Sequence, residues 1–357
     1  MLKVREKVDF TGKKIDLGLD IHHRNWNISV FLEGNFIKRF QQPAGVKPLA
    51  EFVKRNYPGA TYRAAYEAGF CGFWISRQMK ENGIECVVAN PGDVPKTNKD
   101  RSAKTDDRDS RTIGEALSGG MLKPIHVPSP QQESDRSLVR YRLRIQRDIT
   151  RCKLRIKSFL AYYGINIPQP FDNSHWSMLF IQWLKELSLP FPSAKEALNY
   201  MIDHLLLLRP QLLAVTRSLR ALYQRDDYFK SYELLTSVPG IGPITAVTLM
   251  TEIGDINRFK NFYHFNAFIG FCPTEHSSGE KERRGSMTFR HHAPLRELIL
   301  EGTWVAVRND PALTLAYEEQ KKKIGGKRAI IKIARKLLHR IFAVWRSGEK
   351  YQLGIVK

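Results

Sequence analysis

No stretch of this chain approaches the roughly 20 apolar residues that a bilayer-spanning helix needs, so a helical membrane protein is not expected. The opening Met1-Leu2-Lys3-Val4-Arg5-Glu6 lacks the apolar core of a secretory signal. A cytoplasmic location with no membrane partner is the expectation. Cysteine is scarce: Cys71, Cys86, Cys152 and Cys272 stand apart, with no Cys-x-x-Cys pair to suggest zinc or a redox motif. They read as reduced, buried thiols. Acidic residues are also short, at 36 against 57 Lys and Arg, which leaves a formal charge of +21 and a pI near 9.8. Such an excess attracts a polyanion over long range and makes its binding salt-sensitive, so nucleic acid is the expected partner. With 357 residues the chain is too long for one ordinary core and fits about two or three domains.

Residues 14–118 alternate short strands with helical patterns. Strands are expected near 14–20, 26–32, 36–40, 61–66 and 84–89, with helices near 46–57, 73–82 and from about 106. Glu33-Gly34-Asn35 joins the second and third strands as a hairpin. A three-stranded meander followed by alternating strands and helices predicts an α/β, ribonuclease-H-like (RuvC-like) domain over 1–130. Four acids fall at telling places in it. Asp20 closes the first strand, Glu67 closes the fourth, and Asp106 and Asp109 open a helix three residues apart, on one side of it. Carboxylates so placed can converge, and hard oxygen ligands suit Mg²⁺, which can clamp the attacking and leaving oxygens of a phosphodiester. Asp16 competes with Asp20, because strand alternation sets both on one face with Gly18. His22 and His23 could help the acids, but adjacent histidines on a strand point to opposite faces, so at least one of them is expected to be incidental.

From Leu138 the spacing changes to a heptad: Leu138, Arg142, Ile145, Ile149, Cys152, Ile156, Phe159 and Tyr163. A second seam, Leu205, Leu208, Leu212, Val215, Leu219 and Leu222, keeps the rhythm, with Pro210 expected to kink or restart that helix. These seams predict central coiled-coil helices over 131–227, with residues 164–200, rich in aromatics and prolines, as a small ordered insertion. The first helix carries seven Arg and two Lys against Asp148 alone between Arg136 and Leu160. Arg140, Arg144, Arg147, Arg151, Lys153 and Arg155 are its expected contacts with a nucleic-acid backbone.

Residues 228–357 are expected to form a mainly helical C-terminal domain. Val238-Pro239-Gly240-Ile241-Gly242-Pro243 resembles a helix-hairpin-helix turn, in which Gly240 and Gly242 let backbone amides approach a phosphate. Ser277-Ser278-Gly279, followed by Lys281, Arg283 and Arg284, reads as a basic loop carrying adjacent hydroxyls. A helix near 327–346 gathers Ile331, Ala334, Leu338, Ile341 and Trp345 on one face, which should pack against the helix-hairpin-helix unit.

Several segments together carry a family resemblance. They are Gly18-Leu19-Asp20, Tyr66-Glu67-Ala68-Gly69, Lys104-Thr105-Asp106-Asp107-Arg108-Asp109, Val238-Pro239-Gly240-Ile241-Gly242, and Gly270-Phe271-Cys272-Pro273 leading into Ser277-Ser278-Gly279. In that order the chain resembles the bridge-RNA-guided insertion-sequence transposases with an N-terminal DEDD domain. The match spans nearly the whole sequence, least well over 164–200. The resemblance implies that Asp20, Glu67, Asp106 and Asp109 hold Mg²⁺ and that Ser278, which stands directly before glycine, is the nucleophile, with Ser277 as the alternative register. It also implies donor and target DNA as substrates and an element-encoded bridge RNA as guide. Homodimers would join into a tetramer.

Other functions share parts of this pattern. A DEDD nuclease of the Holliday-junction resolvase type would cut with activated water and need no serine. A site-specific DNA invertase would share all the chemistry, and a nucleic-acid scaffold would need none of it.

Overall fold

The structure, a computed structural model, describes residues 8–95, 106–172, 176–278 and 281–353; the side chains of residues 106–108, 275–278 and 281–286 lie outside that description. The chain divides into two compact units, Met1–Val127 and Pro128–Lys357.

The first unit is built on one mixed sheet. β1 (Lys14–Ile21), β2 (Asn25–Leu32) and β3 (Asn35–Pro43) form an antiparallel meander. The Glu33-Gly34 link between β2 and β3 has positive φ at both residues, 49° and 82°, the twist-matched geometry of a two-residue hairpin. β4 (Thr61–Glu67) lies parallel to β1, and β5 (Ile84–Ala89) parallel to β4, giving the order β3-β2-β1-β4-β5. Alternation splits the strands into two faces. Ile15, Leu17 and Leu19 with Trp26, Ile28 and Val30 bury one face against α1 (Val46–Asn56) and α2 (Trp74–Glu81), which contribute Val46, Leu49, Val53, Ile75 and Met79.

The other face receives α3 (Asp106–Ser118). Gly18 on β1 makes this close approach possible, since a Cβ there would fall on the carbonyl oxygen of Ser110 and the amide nitrogen of Gly114. Gly114 in turn leaves room for the Phe31 ring. Beside this contact the buried hydroxyls of Ser29 and Ser110 meet at 2.9 Å. Ser29→Ala leaves the Ser110 hydroxyl without that partner and is expected to destabilise the unit by about 1 to 3 kcal/mol, read as a lowered urea midpoint.

The second unit begins with two long helices. α4 (Pro130–Tyr162) starts at Ser129, whose hydroxyl accepts the Gln132 amide at 3.1 Å. It runs antiparallel to α6 (Pro192–Tyr223), since Arg142 meets Thr216 and Cys152 meets Met201. The middle of the first seam, from Ile145 to Ile156, is buried as expected, but the ends differ. Val139 and Leu160 are buried where the heptad points to Leu138 and to Phe159 and Tyr163. A straight helix turns every 3.6 residues and drifts off a 3.5-residue repeat by about 20° per heptad, which accounts for the shift. Pro210 does not restart α6, which is continuous through it. The backbone hydrogen bond lost there is outweighed by packing of the flanking turns.

The 164–200 segment supplies an end cap for this helix pair. Ser177 caps α5 (Met178–Glu186), and Phe171, Trp176 and Trp183 pack their rings round Phe180 with centroids 5.4, 4.9 and 5.7 Å away. This aromatic group closes over Ile156, Leu160, Leu198 and Ile202. The remaining core gathers α7 (Asp226–Thr236), α8 (Pro243–Ile253), α9 (Phe262–Ile269), α10 (Ala293–Asn309), α11 (Pro311–Ile324) and α12 (Gly326–Ser347). α12 buries Ala334, Leu338, Ile341 and Trp345 there, while Ile331 is only partly covered. Among the described residues no helix is long and apolar enough to cross a membrane.

One expectation is corrected outright. The basic loop round Ser277 and Ser278 is a pair of antiparallel strands, β6 (Pro273–Ser278) and β7 (Lys281–Met287), with Ser278 opposite Lys281. A run dense in charge masks strand alternation, whereas a two-residue separation is a hairpin length.

Candidate active site

Asp20 and Glu67 are brought to neighbouring positions by strand pairing. Leu19 pairs with Tyr66 in the parallel β1–β4 ladder, so the next residue on each strand is one of the two acids. Alternation sets Asp20 on the face of Gly18 and Glu67 on that of Ala65, the face covered by α3. Asp109 lies in the first turn of α3, and its charge acts on Asp20. Asp106 begins the same helix, with its side chain outside the described residues. The backbone contact of Gly18 with Ser110 and Gly114 holds the Asp109 turn close to β1.

Asp16 has a different task. Its carboxylate takes two hydrogen bonds from Arg63, at 2.7 and 2.8 Å, across the β1–β4 register that aligns the two residues. Asp20 is held by lighter contacts: His22 Nε2 lies 2.9 Å from its Oδ2, and Asn27, whose own carbonyl accepts from Gln41 at 3.3 Å, also bonds to it. Burial pushes the Asp20 carboxyl above its usual range and Asp109 adds to the rise, while His22 and Asn27 oppose it. A partly desolvated carboxylate beside a like charge gains from a cation. All four acids are hard oxygen donors, the set that a divalent ion of the magnesium type prefers. Among the described residues no three His, Cys, Asp or Glu side chains form a cluster that could hold a metal. Asn27, Gly18 and Ser110 were not singled out as site residues by the sequence. The spacing Ser110-x-x-x-Gly114 on α3 was the available signal for a close helix approach.

In the second unit the expected nucleic-acid residues separate into groups. Arg144, Arg147, Arg151 and Arg155 lie exposed along α4; Arg147 reaches Glu297 at 3.0 Å and Arg151 reaches Asp148 at 2.9 Å. Lys153 stands 5.7 Å from the Trp176 ring. Arg140 is exposed too, but it is also tied to the protein. Its guanidinium gives two hydrogen bonds, at 2.6 and 2.8 Å, to Glu252, a carboxylate buried on α8. Arg136 at 3.3 Å and His292 Nε2 at 3.2 Å complete the group. Burial alone would raise the Glu252 carboxyl, but the bonds from His292 and Arg140 overturn this and hold it at about 2. His292 Nδ1 accepts the Leu295 amide at 3.3 Å at the start of α10, leaving Nε2 to donate to Glu252.

Gly240 has a φ of 85°, and a Cβ there would fall on the backbone of Gly302 in α10, so this glycine serves helix packing. Gly242 differs, with open space at its Cβ position and no side-chain cap on α8. A cleft of about 890 Å³ opens beside this turn, lined by Arg142, Arg147, Gly242 and Glu297 among others. Ser278 ends β6, and Arg283 and Arg284 lie on β7, with all three side chains outside the described residues.

Comparison with known proteins agrees with this layout. A DEDD transposase domain model of the IS110 type matches residues 17–165, and a model described as "Transposase IS116/IS110/IS902 family" matches 232–318. The y4rJ protein of Sinorhizobium fredii, provisionally named a transposase, is 28% identical over 100% of both chains. A second protein of that organism, y4qE, also provisionally named a transposase, is 29% identical over 73% of this chain and 62% of its own length. The transposase for insertion sequence element IS1111A of Coxiella burnetii is 26% identical over 80% of this chain and 78% of its own. The chain belongs to the IS116/IS110/IS902 family of insertion-sequence transposases, enzymes that cleave and join DNA. Its DEDD domain implies a divalent metal.

Proposed function

We propose that this transposase cuts and rejoins DNA at a four-carboxylate site, Asp20, Glu67, Asp106 and Asp109, that takes Mg²⁺, with Ser278 as the nucleophile. The observation that carries the reading is the placement of Asp20 and Glu67 at adjacent parallel strand ends, on the face that receives the helix of Asp109. The order β3-β2-β1-β4-β5, with only β2 and β3 lying beyond β1 as an antiparallel pair, supports a ribonuclease-H-like (RuvC-like) domain. When bound, Mg²⁺ neutralises charge on the phosphate and eases deprotonation of a nearby hydroxyl.

The protein's own groups do the rest. His22 and Asn27 hold the Asp20 carboxylate in place, and Arg63 keeps Asp16 out of the site. Ser278 Oγ loses its proton and bonds to phosphorus while one bridging P–O bond breaks, and that oxygen leaves as a protonated strand-end hydroxyl. The phosphoserine link stores the bond energy, so a hydroxyl from another strand can attack it and restore the serine without ATP. Asp20 and Ser278 belong to separate units. On this reading they meet across protomers of a homodimer, and two dimers form a tetramer on donor and target DNA.

A bridge RNA supplies sequence recognition by base pairing, while the protein holds backbone and shape. The charge of +21 and the exposed arginines of α4 support a polyanionic partner of that size. RNA copurifying with the expressed element should map beside the gene.

Glu67→Gln tests the site. It keeps the volume and removes one charge, so Mg²⁺-dependent cleavage of element-end DNA should fall on the order of 10²- to 10³-fold. Undiminished cleavage would refute the carboxylate site.

A further inference from the structure

The end of the sheet that carries Asp20 and Glu67 also carries exposed aromatic rings. β1 and β4 are parallel, so the turn leaving β1 and the loop leaving β4 emerge on the same side. Phe70, three residues past Glu67, is 61% exposed, and Trp74, which opens α2, is 44% exposed. His23, three residues past Asp20, lies against Phe70 with ring centroids 4.2 Å apart and planes tilted by 37°. Trp74 rests on buried Trp26, 6.3 Å between centroids, so its other side meets solvent. Three residues of chain reach at most about 10 Å. The His23–Phe70 pair therefore stands within a nucleotide or two of the carboxylates that precede it, and exposed Arg24 follows it directly.

Single exposed apolar side chains are ordinary. Rings gathered at the lip of a phosphodiester-cutting site in a chain of +21 are better matched to a nucleobase, whose flat face stacks on an aromatic while its phosphate is held by charge. We propose that Phe70, backed by His23 and flanked by Trp74, is a stacking platform for an unpaired base of the DNA strand being cut. The proposal rests on the reading of Asp20 and Glu67 as the cutting site and adds what the site demands of its substrate: a base out of its pair beside the scissile phosphate. Stacking is tolerant of base identity, so such a platform holds an opened strand without reading it and leaves recognition to the guide.

The test uses the full-length protein in EDTA, where no cutting intervenes, and a single-stranded oligodeoxynucleotide carrying 2-aminopurine. Stacking quenches the analogue, and anisotropy of an end label gives the affinity. Phe70→Ala should weaken single-strand binding by about 5- to 100-fold and relieve the quench, while leaving affinity for the fully paired duplex unchanged. An abasic nucleotide in place of the analogue should remove the difference between wild type and Phe70→Ala. Trp74→Ala should act in the same direction. Retained single-strand affinity and quenching in Phe70→Ala would overturn the proposal, as would equal loss on the abasic strand. Reduced self-association by sedimentation, with nucleic-acid affinity intact, would overturn it by making the rings a protein interface. Whether this rim is the cutting site is read separately, from Mg²⁺-dependent cleavage by Glu67→Gln.

Discussion

Ser278→Ala is expected to abolish the covalent protein–DNA adduct and to reduce strand joining by on the order of 10⁴-fold or more, since removal of a covalent nucleophile leaves only binding and positioning. Denaturing gels of protein incubated with labelled element ends in Mg²⁺ measure both outcomes. A DEDD nuclease of the resolvase type would keep cutting, because water needs no serine. Continued cleavage by Ser278→Ala would therefore sink the recombinase reading while sparing the carboxylate site. Ser277→Ala is the control for register. The two serines are consecutive on β6, so the register doubt is a single residue. If the Ser277 variant loses the adduct and the Ser278 variant keeps it, the assignment moves by one residue.

Glu252→Ala should be the most destabilising change in the second unit, costing about 3 to 5 kcal/mol. The carboxylate is 4% exposed and holds Arg136, Arg140 and His292 together. Without it, the guanidinium groups of Arg136 and Arg140 and the Nε2–H of His292 lose their shared acceptor. The acid itself predicts a pH signature. Its pKa is held at about 2 against an ordinary 4.5, so its stabilisation, about 3 kcal/mol, is complete above the unfolded value and fades as pH falls through 4 towards 2. Urea midpoints of wild type and variant should therefore differ most at neutral pH and converge in acid. A constant gap down to pH 3 would show that the loss comes from packing rather than from charge.

Glu252 also marks where sequence reasoning ran out. A lone acid within the apolar run Ile244–Ile253 gives no hint of an arginine 112 residues earlier, and Arg140 on a basic helix reads as one more phosphate contact. Only tertiary placement joins the two. Asp16 and Asp20 were inseparable for the same reason: both satisfy the alternation of β1, and the Arg63 that occupies Asp16 is set by the parallel register with β4. Strand and helix periods were legible where one face is apolar, as in Val46, Leu49, Ala50 and Val53 of α1 or the alternating Trp26, Ile28 and Val30 of β2. They failed where side chains are polar on both faces, which is why the β6–β7 pair read as a loop. Gly240 was visible as a turn glycine, but its neighbour Gly302 lies 62 positions on, and nothing local announces that meeting.

The contact of Gly18 with Ser110 and Gly114 carries a consequence for tolerance to change. Strand and helix touch there through peptide groups, which have no rotamers to adjust, so the distance from Asp20 to the Asp109 turn works as a fixed gauge. Mutational drift in the aliphatic layer beneath the sheet can reshuffle methyl groups without recalibrating that gauge, whereas one methyl added at position 18 would push the acids apart.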